Sequence, residues 1–410
     1  QTLLRKIAPE QPLNPDDENY TGELKFNFYR YGEWIEVTID DTLPLDGNGE
    51  LAFVHSTAEN EFWPALLEKA YAKMEGNYIN LSGGQATEGM VDMTGGIADV
   101  LKFANETPST VFQAIIDAVL EKSLLSTSIP AIPGQTEALK ANGLVCGHAY
   151  SVTGANIFTD SDGNKHHLVR IRNPWGQHEW KGPWRDSDER WQSVVSCHFD
   201  QFKHENDEDG EFWMHVGNYV QEYTKLEIVR LNASDIEAEG RWIETAGLLN
   251  WSQEAGSNGG WPSRKTWASS FVNNPYKVFH VAGGSHSDEA IISLTQKDRR
   301  MERHEGVKNN IISFYVYESE MDIEDIVEGE TALSDLIGGS KKKEIYTTTF
   351  TNLRDVSKRL RLPGEGTYVV VPCCYSTEME GEVFMRIFVE RPRDEAKPDW
   401  AVDLDDQRTE

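Results

Sequence analysis

Two short runs constrain this chain more than anything else in it: Gly147-His148-Ala149-Tyr150-Ser151-Val152 and Ile171-Arg172-Asn173-Pro174-Trp175-Gly176. Each reads as a strand. Between them lies Asp160-Ser161-Asp162-Gly163-Asn164, whose residues tolerate positive φ and make tight returns. A hairpin would lay the two strands side by side, with His148 facing Asn173. Val169 and Ile171 share a face with Asn173, so its amide points inward, and a buried amide must find partners. The imidazole N–H is a natural one.

Such a bond fixes the tautomer that leaves the other ring nitrogen free for a thiol, the base half of a cysteine-nucleophile site. Trp175, next door, would shield the bond from water and strengthen it. A lone strand histidine is more often structural; the constellation makes this one a catalytic candidate. The thiol is the missing part. Of four cysteines, Cys146 sits two residues before His148 on the same strand and faces the same way, not across a cleft. Cys197 lies in an acidic, aromatic stretch, and residues 1–20 hold no cysteine.

Composition narrows the class. A net charge of −29 over 410 residues excludes nucleic acid as a partner, since phosphate binding needs clustered Lys and Arg. It fits calcium or plain solubility. Four cysteines, two of them adjacent at Cys373 and Cys374, do not make a disulfide framework, which points to a reducing, cytoplasmic setting. Sequons at Asn80, Asn105, Asn232 and Asn250 weigh weakly the other way. No apolar run spans a bilayer and no signal peptide is expected. The chain begins with Gln1, so a fragment of a longer protein is expected.

In chain order, residues 1–20 show no period. Leu24, Phe26 and Phe28, then Ile35, Val37 and Ile39, alternate as a hairpin with one buried face. Trp63, Leu66, Leu67, Ala70, Tyr71 and Met74 recur at three and four, predicting a helix from about Asn60 or Glu61 to Gly76. A glycine-rich loop runs from Leu81-Ser82-Gly83-Gly84 through Gly89 to Gly95-Gly96. A second helix covers about Thr110–Leu125. Leu226 to Arg241 reads as acidic loop and domain boundary. Beyond Trp242, apolar runs at Lys277–Val281, Ile291–Leu294, Ile311–Tyr317, Tyr368–Val371 and Val383–Val389 predict an antiparallel β-sandwich. An acidic loop at Glu318–Glu330, the cluster Lys341-Lys342-Lys343 and a linker-like or disordered tail after Pro392 complete the chain.

Gly147-His148-Ala149-Tyr150 with Asn173-Pro174-Trp175-Gly176 resembles the calpain protease core, a distant relative of papain. Glu61-Phe62-Trp63, Leu66-Leu67-Glu68-Lys69-Ala70-Tyr71, Leu81-Ser82-Gly83-Gly84 and Asp209-Gly210-Glu211-Phe212-Trp213 resemble it in the same order, as does the second domain through Asn274-Pro275-Tyr276 to Phe388. The resemblance implies an α+β fold. A papain-like core, mostly its second, β-rich subdomain plus part of the first, would occupy 1–230, with a linker at 231–240. An antiparallel β-sandwich (domain III) would follow at 241–392, and a tail at 393–410. It implies His148 and Asn173 as catalytic histidine and orienting asparagine, Trp175 as their calcium-sensitive neighbour, and Gly84 and Gly147 as substrate-backbone contacts. It also implies calcium as cofactor, with Glu179, Asp186, Asp209 and Glu211 as ligands, Asp207 through its carbonyl, and Glu61 in a separate site of the first half. From the residues alone, these acids read first as solvated surface, although the loops bearing Glu179 and Asp186, and Asp209 and Glu211, could converge as an oxygen cage.

The family's Gly-x-Cys-Trp nucleophile segment and its upstream glutamine have no counterpart here, nor does a penta-EF-hand domain. The implied function is a calcium-dependent intracellular cysteine endopeptidase acting on protein substrates by limited proteolysis. These 410 residues alone would be inactive without an N-terminal segment of the same protein. A second reading is a non-catalytic calpain-like scaffold that meets an anionic membrane surface through the sandwich and Lys341–Lys343. A transglutaminase-like acyl transferase ranks last, because it normally carries aspartate where Asn173 stands.

Overall fold

A computed structural model describes residues 2–390 apart from 57, 59, 136, 199–203, 232–241, 264–268, 283–288 and 339–343. The described residues make two compact units, one from 2–97 with 242–390 and the other from 98–231.

The first unit opens with α1 (Thr2–Ile7), where no period was visible in the sequence. The expected hairpin is β1 (Glu23–Arg30) with β2 (Glu33–Asp40), fully antiparallel from Glu23↔Asp40 to Arg30↔Glu33. Leu24, Phe26, Phe28, Val37 and Ile39 form its buried face. Helix α2 (Trp63–Met74) lays Leu66, Ala70 and Tyr71 on that face, with Pro64 in the first turn, where the missing N–H costs nothing. The glycine-rich loop is shorter than expected. Residues 86–94 form α3 (Ala86–Thr94), which includes Gly89 and is closed by Gly95 at φ 66°. Burial of Thr87, Val91 and Asp92 outweighs the entropy cost of one interior glycine.

The second unit is built on a seven-stranded sheet. Its strands are β3 (Ile97–Lys102), β4 (Leu124–Ile129), β5 (His148–Asp160), β6 (Lys165–Arg172), β7 (Val194–Cys197), β8 (Glu211–His215) and β9 (Lys225–Arg230). The order is β3-β9-β4-β5-β6-β8, with β7 on β5. Helix α4 (Pro108–Leu120) starts on the Thr107 cap, whose hydroxyl accepts from Thr110 N–H at 3.1 Å. It stops five residues before the expected end because Leu124–Ile129 is taken by the sheet. Val111, Phe112 and Ile115 pack on Tyr150, Val152, Val169 and Ile171. Helix α5 (Val216–Glu222) adds Tyr219. Residues 226–230, expected as acidic loop, belong to the buried strand β9; Glu227 lies 2% exposed between Lys225 (2.8 Å) and Ser126 (3.2 Å).

The described residues of 242–390 form two four-stranded sheets in the first unit. One is β10 (Trp242–Trp251), β17 (Gly381–Glu390), β12 (Glu289–Gln296) and β15 (Asp355–Arg361); the other is β11 (Lys277–Val281), β16 (Gly366–Cys374), β13 (Ile312–Ser319) and β14 (Glu344–Thr347). Ile292, Leu294, Phe314, Val316, Val370 and Met385 fill the space between them, the expected sandwich core. In the acidic loop, Glu328 pairs with Lys277 at 2.7 Å and accepts from Val278 N–H at 2.8 Å. Lys341–Lys343, Asn232, the linker and the tail lie outside the described residues. No described helix is long and apolar enough to cross a membrane.

Candidate active site

The hairpin read from sequence is present. Strands β5 and β6 pair antiparallel from Ser151↔Arg172 to Thr159↔Lys165, and Asp160 closes the turn by accepting from the N–H groups of Asp162 (3.0 Å) and Asn164 (2.8 Å). His148 begins β5 and Asn173 follows the last residue of β6. Both are buried, Asn173 completely.

His148 Nε2 lies 2.9 Å from Asn173 Oδ1. The surrounding bonds settle the direction. Asn173 Nδ2 donates to the Gln177 carbonyl at 2.6 Å, and Asn173 Oδ1 already accepts from Trp175 N–H at 3.1 Å. The amide oxygen therefore faces the ring, Nε2 carries the proton, and Nδ1 holds the free lone pair. Trp175 covers the pair with its ring centroid 4.3 Å from that of His148, and Tyr150 packs edge-on at 5.0 Å. One neighbour was not read from sequence. Glu137 Oε1 lies 3.5 Å from His148 Nδ1, brought there by a loop that holds Glu137 at φ 50°.

Gly147 is a glycine of necessity. It sits at φ 69°, and a Cβ would come 3.0 Å from Ala131 Cβ. It is exposed beside the buried histidine. Gly84 lies in the other unit, exposed, at φ 143°. All four cysteines are free, and among the described residues none hydrogen-bonds His148.

The acidic loops connect to Asn173 through Gly210. Its carbonyl accepts from Asn173 N–H at 2.8 Å, and its own N–H donates to Glu179 Oε1 at 2.8 Å. A Cβ on Gly210 would meet Gly176 and the Asn173 carbonyl at 2.8–2.9 Å, so only glycine permits this approach. Asp209 and Glu211 flank it. Asp209 Oδ2 is 3.5 Å from Arg172, and Glu211 Oε1 accepts from the Thr153 hydroxyl at 2.6 Å.

Asp186 is the outlier. Both of its carboxylate oxygens are buried and find no hydrogen-bond donor among the described residues. Burial first, and then the charges of Glu179, Asp209, Glu211 and Asp207, push its pKa up to about 7. An orphaned buried carboxylate ringed by acids suits a hard, oxygen-seeking cation. Among the described residues, no three acid, histidine or cysteine side chains are assembled into a formed metal cage. Asp207 is exposed and accepts from Glu208 N–H. Glu61 stands apart in the first unit. Its oxygens accept from the Ser56 hydroxyl and, at 3.0 Å, from Trp63 Nε1, which hold its carboxyl below the usual range.

Residues 1–230 match the family described as calpain family cysteine protease, and residues 238–388 match calpain large subunit, domain III. The chain is 36% identical over 402 residues to calpain clp-1 of Caenorhabditis elegans, covering 95% of this chain and 50% of that one. It is 37% identical over 401 residues to the calpain-2 catalytic subunit of Homo sapiens (95% and 55%) and 36% identical over 422 residues to the calpain-1 catalytic subunit of Macaca fascicularis (99% and 56%). The chain thus spans about half the length of the curated relatives it matches.

Proposed function

The chain belongs to the calpain family of cysteine proteases, with a protease core followed by domain III, and on that premise we propose that the intact protein is a calcium-dependent cysteine endopeptidase whose base is His148. The observation that carries this is the Asn173 Oδ1 to His148 Nε2 bond, which leaves the Nδ1 lone pair available to take a proton. In the proposed mechanism, a thiol from sequence preceding residue 1 gives its proton to His148 Nδ1. The thiolate attacks a peptide carbonyl carbon, and the C–N bond breaks as the imidazolium returns the proton to the leaving amine. Water, deprotonated by the same nitrogen, then adds to the thioester carbon; the C–S bond breaks, the acid leaves, and the imidazolium returns its proton to the sulfur. Asn173 holds the ring through both steps, and Trp175 keeps water from the His–Asn bond. Gly147 leaves room beside His148 for substrate backbone.

Calcium would be held by Glu179, Asp186, Asp209 and Glu211, with Asp207 contributing, and would supply the positive charge these carboxylates lack. Gly210 ties that group to Asn173, so ordering the acidic loops orders the base. The orphaned oxygens of Asp186 support this reading. Asp186→Asn is therefore expected to weaken calcium binding measured by calorimetry by about 100-fold. The same change removes a like charge and is expected to leave the calcium-free protein at least as heat-stable as wild type. Unchanged calcium binding would remove Asp186 from the site. Calcium-stimulated peptide hydrolysis that vanishes with Asp186→Asn is the functional test; calcium-independent hydrolysis contradicts the calcium requirement.

A further inference from the structure

The loop leading to Gly84 is held from outside by one segment of the β-sandwich. Residues 76–84 follow α2 as a short 3-10 turn, Tyr78–Leu81, capped by Asn77, whose side chain accepts from Asn80 N–H at 3.0 Å. Three residues of a second 3-10 segment, Arg300–Glu305, meet this loop. Met301 Sδ lies 3.2 Å from where a Cβ on Gly76 would stand. His304 Nε2 lies 2.8 Å from Asn80 Oδ1. The Arg300 guanidinium donates through Nη2 to the Gly83 carbonyl and lies where a Cβ on Gly84 would go.

The segment is itself anchored. Arg300 N–H donates to Asp298 Oδ1 at 2.7 Å, and Asp298 Oδ2 bonds Arg30 and, at 3.2 Å, Arg354. Arg354 is 4% exposed and also bonds Asp92 of α3, so the anchor is buried. Arg300 takes the carbonyl of Gly83. The N–H and C=O of exposed Gly84 make no hydrogen bond among the described residues. A peptide backbone binds a site by that pair of groups, as an added strand does. Fixing Gly83 while leaving Gly84 open pre-organises the pair, and pre-organisation is spent as affinity.

We propose that residues 298–305 of the sandwich position the Gly83–Gly84 backbone for substrate, with Arg300 as the positioning residue. The inference rests on the reading of Gly84 as a substrate-backbone contact in a peptidase. The second domain is then part of the substrate-binding apparatus. Glycine is favoured at 84 by its φ of 143°, and a side chain there would also displace the guanidinium.

In the intact protein with calcium, Arg300→Ala is expected to speed hydrogen exchange at the Asn80 and Ser82 amides about 10-fold, since both are bonded within the clamped turn. It is expected to raise KM for an extended peptide about 10-fold while kcat changes less than about twofold. Arg300→Lys keeps a donor and recovers part of the KM; His304→Ala cuts a different tie and reproduces the faster exchange. Unchanged exchange in both alanine variants overturns the clamp whatever the activity. Faster exchange with unchanged KM overturns the substrate role. If wild type cleaves no peptide, the peptidase reading falls and takes the substrate role with it, while exchange still decides the clamp.

Discussion

His148→Ala is expected to lower kcat of the intact protein by about 1,000-fold or more while leaving the fold intact, because in the proposed mechanism one group serves as base and acid in both half-reactions. His148 starts a strand and is 8% exposed, so its loss leaves a small gap at the edge of the core instead of a cavity inside it. Asn173→Ala separates orientation from chemistry. Asn173 accepts from Trp175 N–H and His148 and donates to the Gln177 carbonyl, so its removal frees the ring and unpairs buried groups. A smaller loss of kcat, with about 1–3 kcal/mol of lost stability, is the expected pattern. Steady-state kinetics with thermal melts checks both. Equal kcat in His148→Ala and wild type would remove His148 from the mechanism.

Arg354→Ala is expected to be the most destabilising single change in the first unit. Arg354 is 4% exposed and bonds Asp92 at 2.9 Å, Asp355 at 2.7 Å, Asp298 at 3.2 Å and the Glu88 carbonyl at 3.2 Å. Its positive charge offsets acids that burial would otherwise protonate. Truncation leaves them to Arg30, which already serves Glu75, Asp92 and Asp298. Breaking such a buried group by removing one partner costs about 3–5 kcal/mol. For a unit of this size that lowers Tm by roughly 10 °C. A shift in a thermal melt below about 2 °C would show that the cluster tolerates an unpaired acid. The same arginine anchors Asp298, so loss of Arg354 should also loosen the Arg300 clamp.

The sequence made some of this visible and hid the rest for physical reasons. The His148–Asn173 hairpin was legible because turn residues between two apolar runs specify a return, and a two-residue side-chain period places His148 and Asn173 on the inner face. The sandwich strands β11, β12, β13, β16 and β17 were legible because they are nearly continuous apolar runs. β4 and β9 were not, because their buried positions carry Ser126, Thr127 and Glu227, which satisfy one another across the ladder: Ser126 donates to Glu227 at 3.2 Å and Thr127 to the Lys225 carbonyl at 2.8 Å. Polar residues that are partnered in space look solvated in sequence. β15 was masked differently: Lys358, Arg359 and Arg361 hold its partly or fully exposed positions, leaving only Val356 and Leu360 buried. α3 was hidden by Gly89 between flanking glycines. Neither the ionic cluster nor Glu137 has a local signature. Arg30, Asp92, Asp298 and Arg354 come from four distant stretches, and Glu137 reaches His148 only through the path of its loop.

The candidate calcium ligands divide along the same line. Spacing placed Glu179, Asp186, Asp209 and Glu211 on two loops, but only the fold distinguishes them. Asp209 and Glu211 have protein donors, whereas neither Asp186 oxygen has one among the described residues. The carboxylate that a cation would relieve is the one that solvation arguments would have passed over.

On the proposed mechanism, these 410 residues carry the base half of a cysteine-protease site and not its nucleophile. The cysteines here are poor candidates on physical grounds. Cys146 is 4% exposed in the core, and burial pushes the Cys374 thiol up to about 12 and Cys373 well above its ordinary value. Cys197 sits half-buried in β7 among Phe158, Trp184 and Trp191. The direct test is mass spectrometry after treatment of residues 1–410 with a peptidyl epoxide, with and without calcium. The prediction is no adduct on any of the four cysteines, and in the intact protein one calcium-dependent adduct outside these residues that is lost with His148→Ala. A calcium-dependent adduct on Cys146 would contradict it.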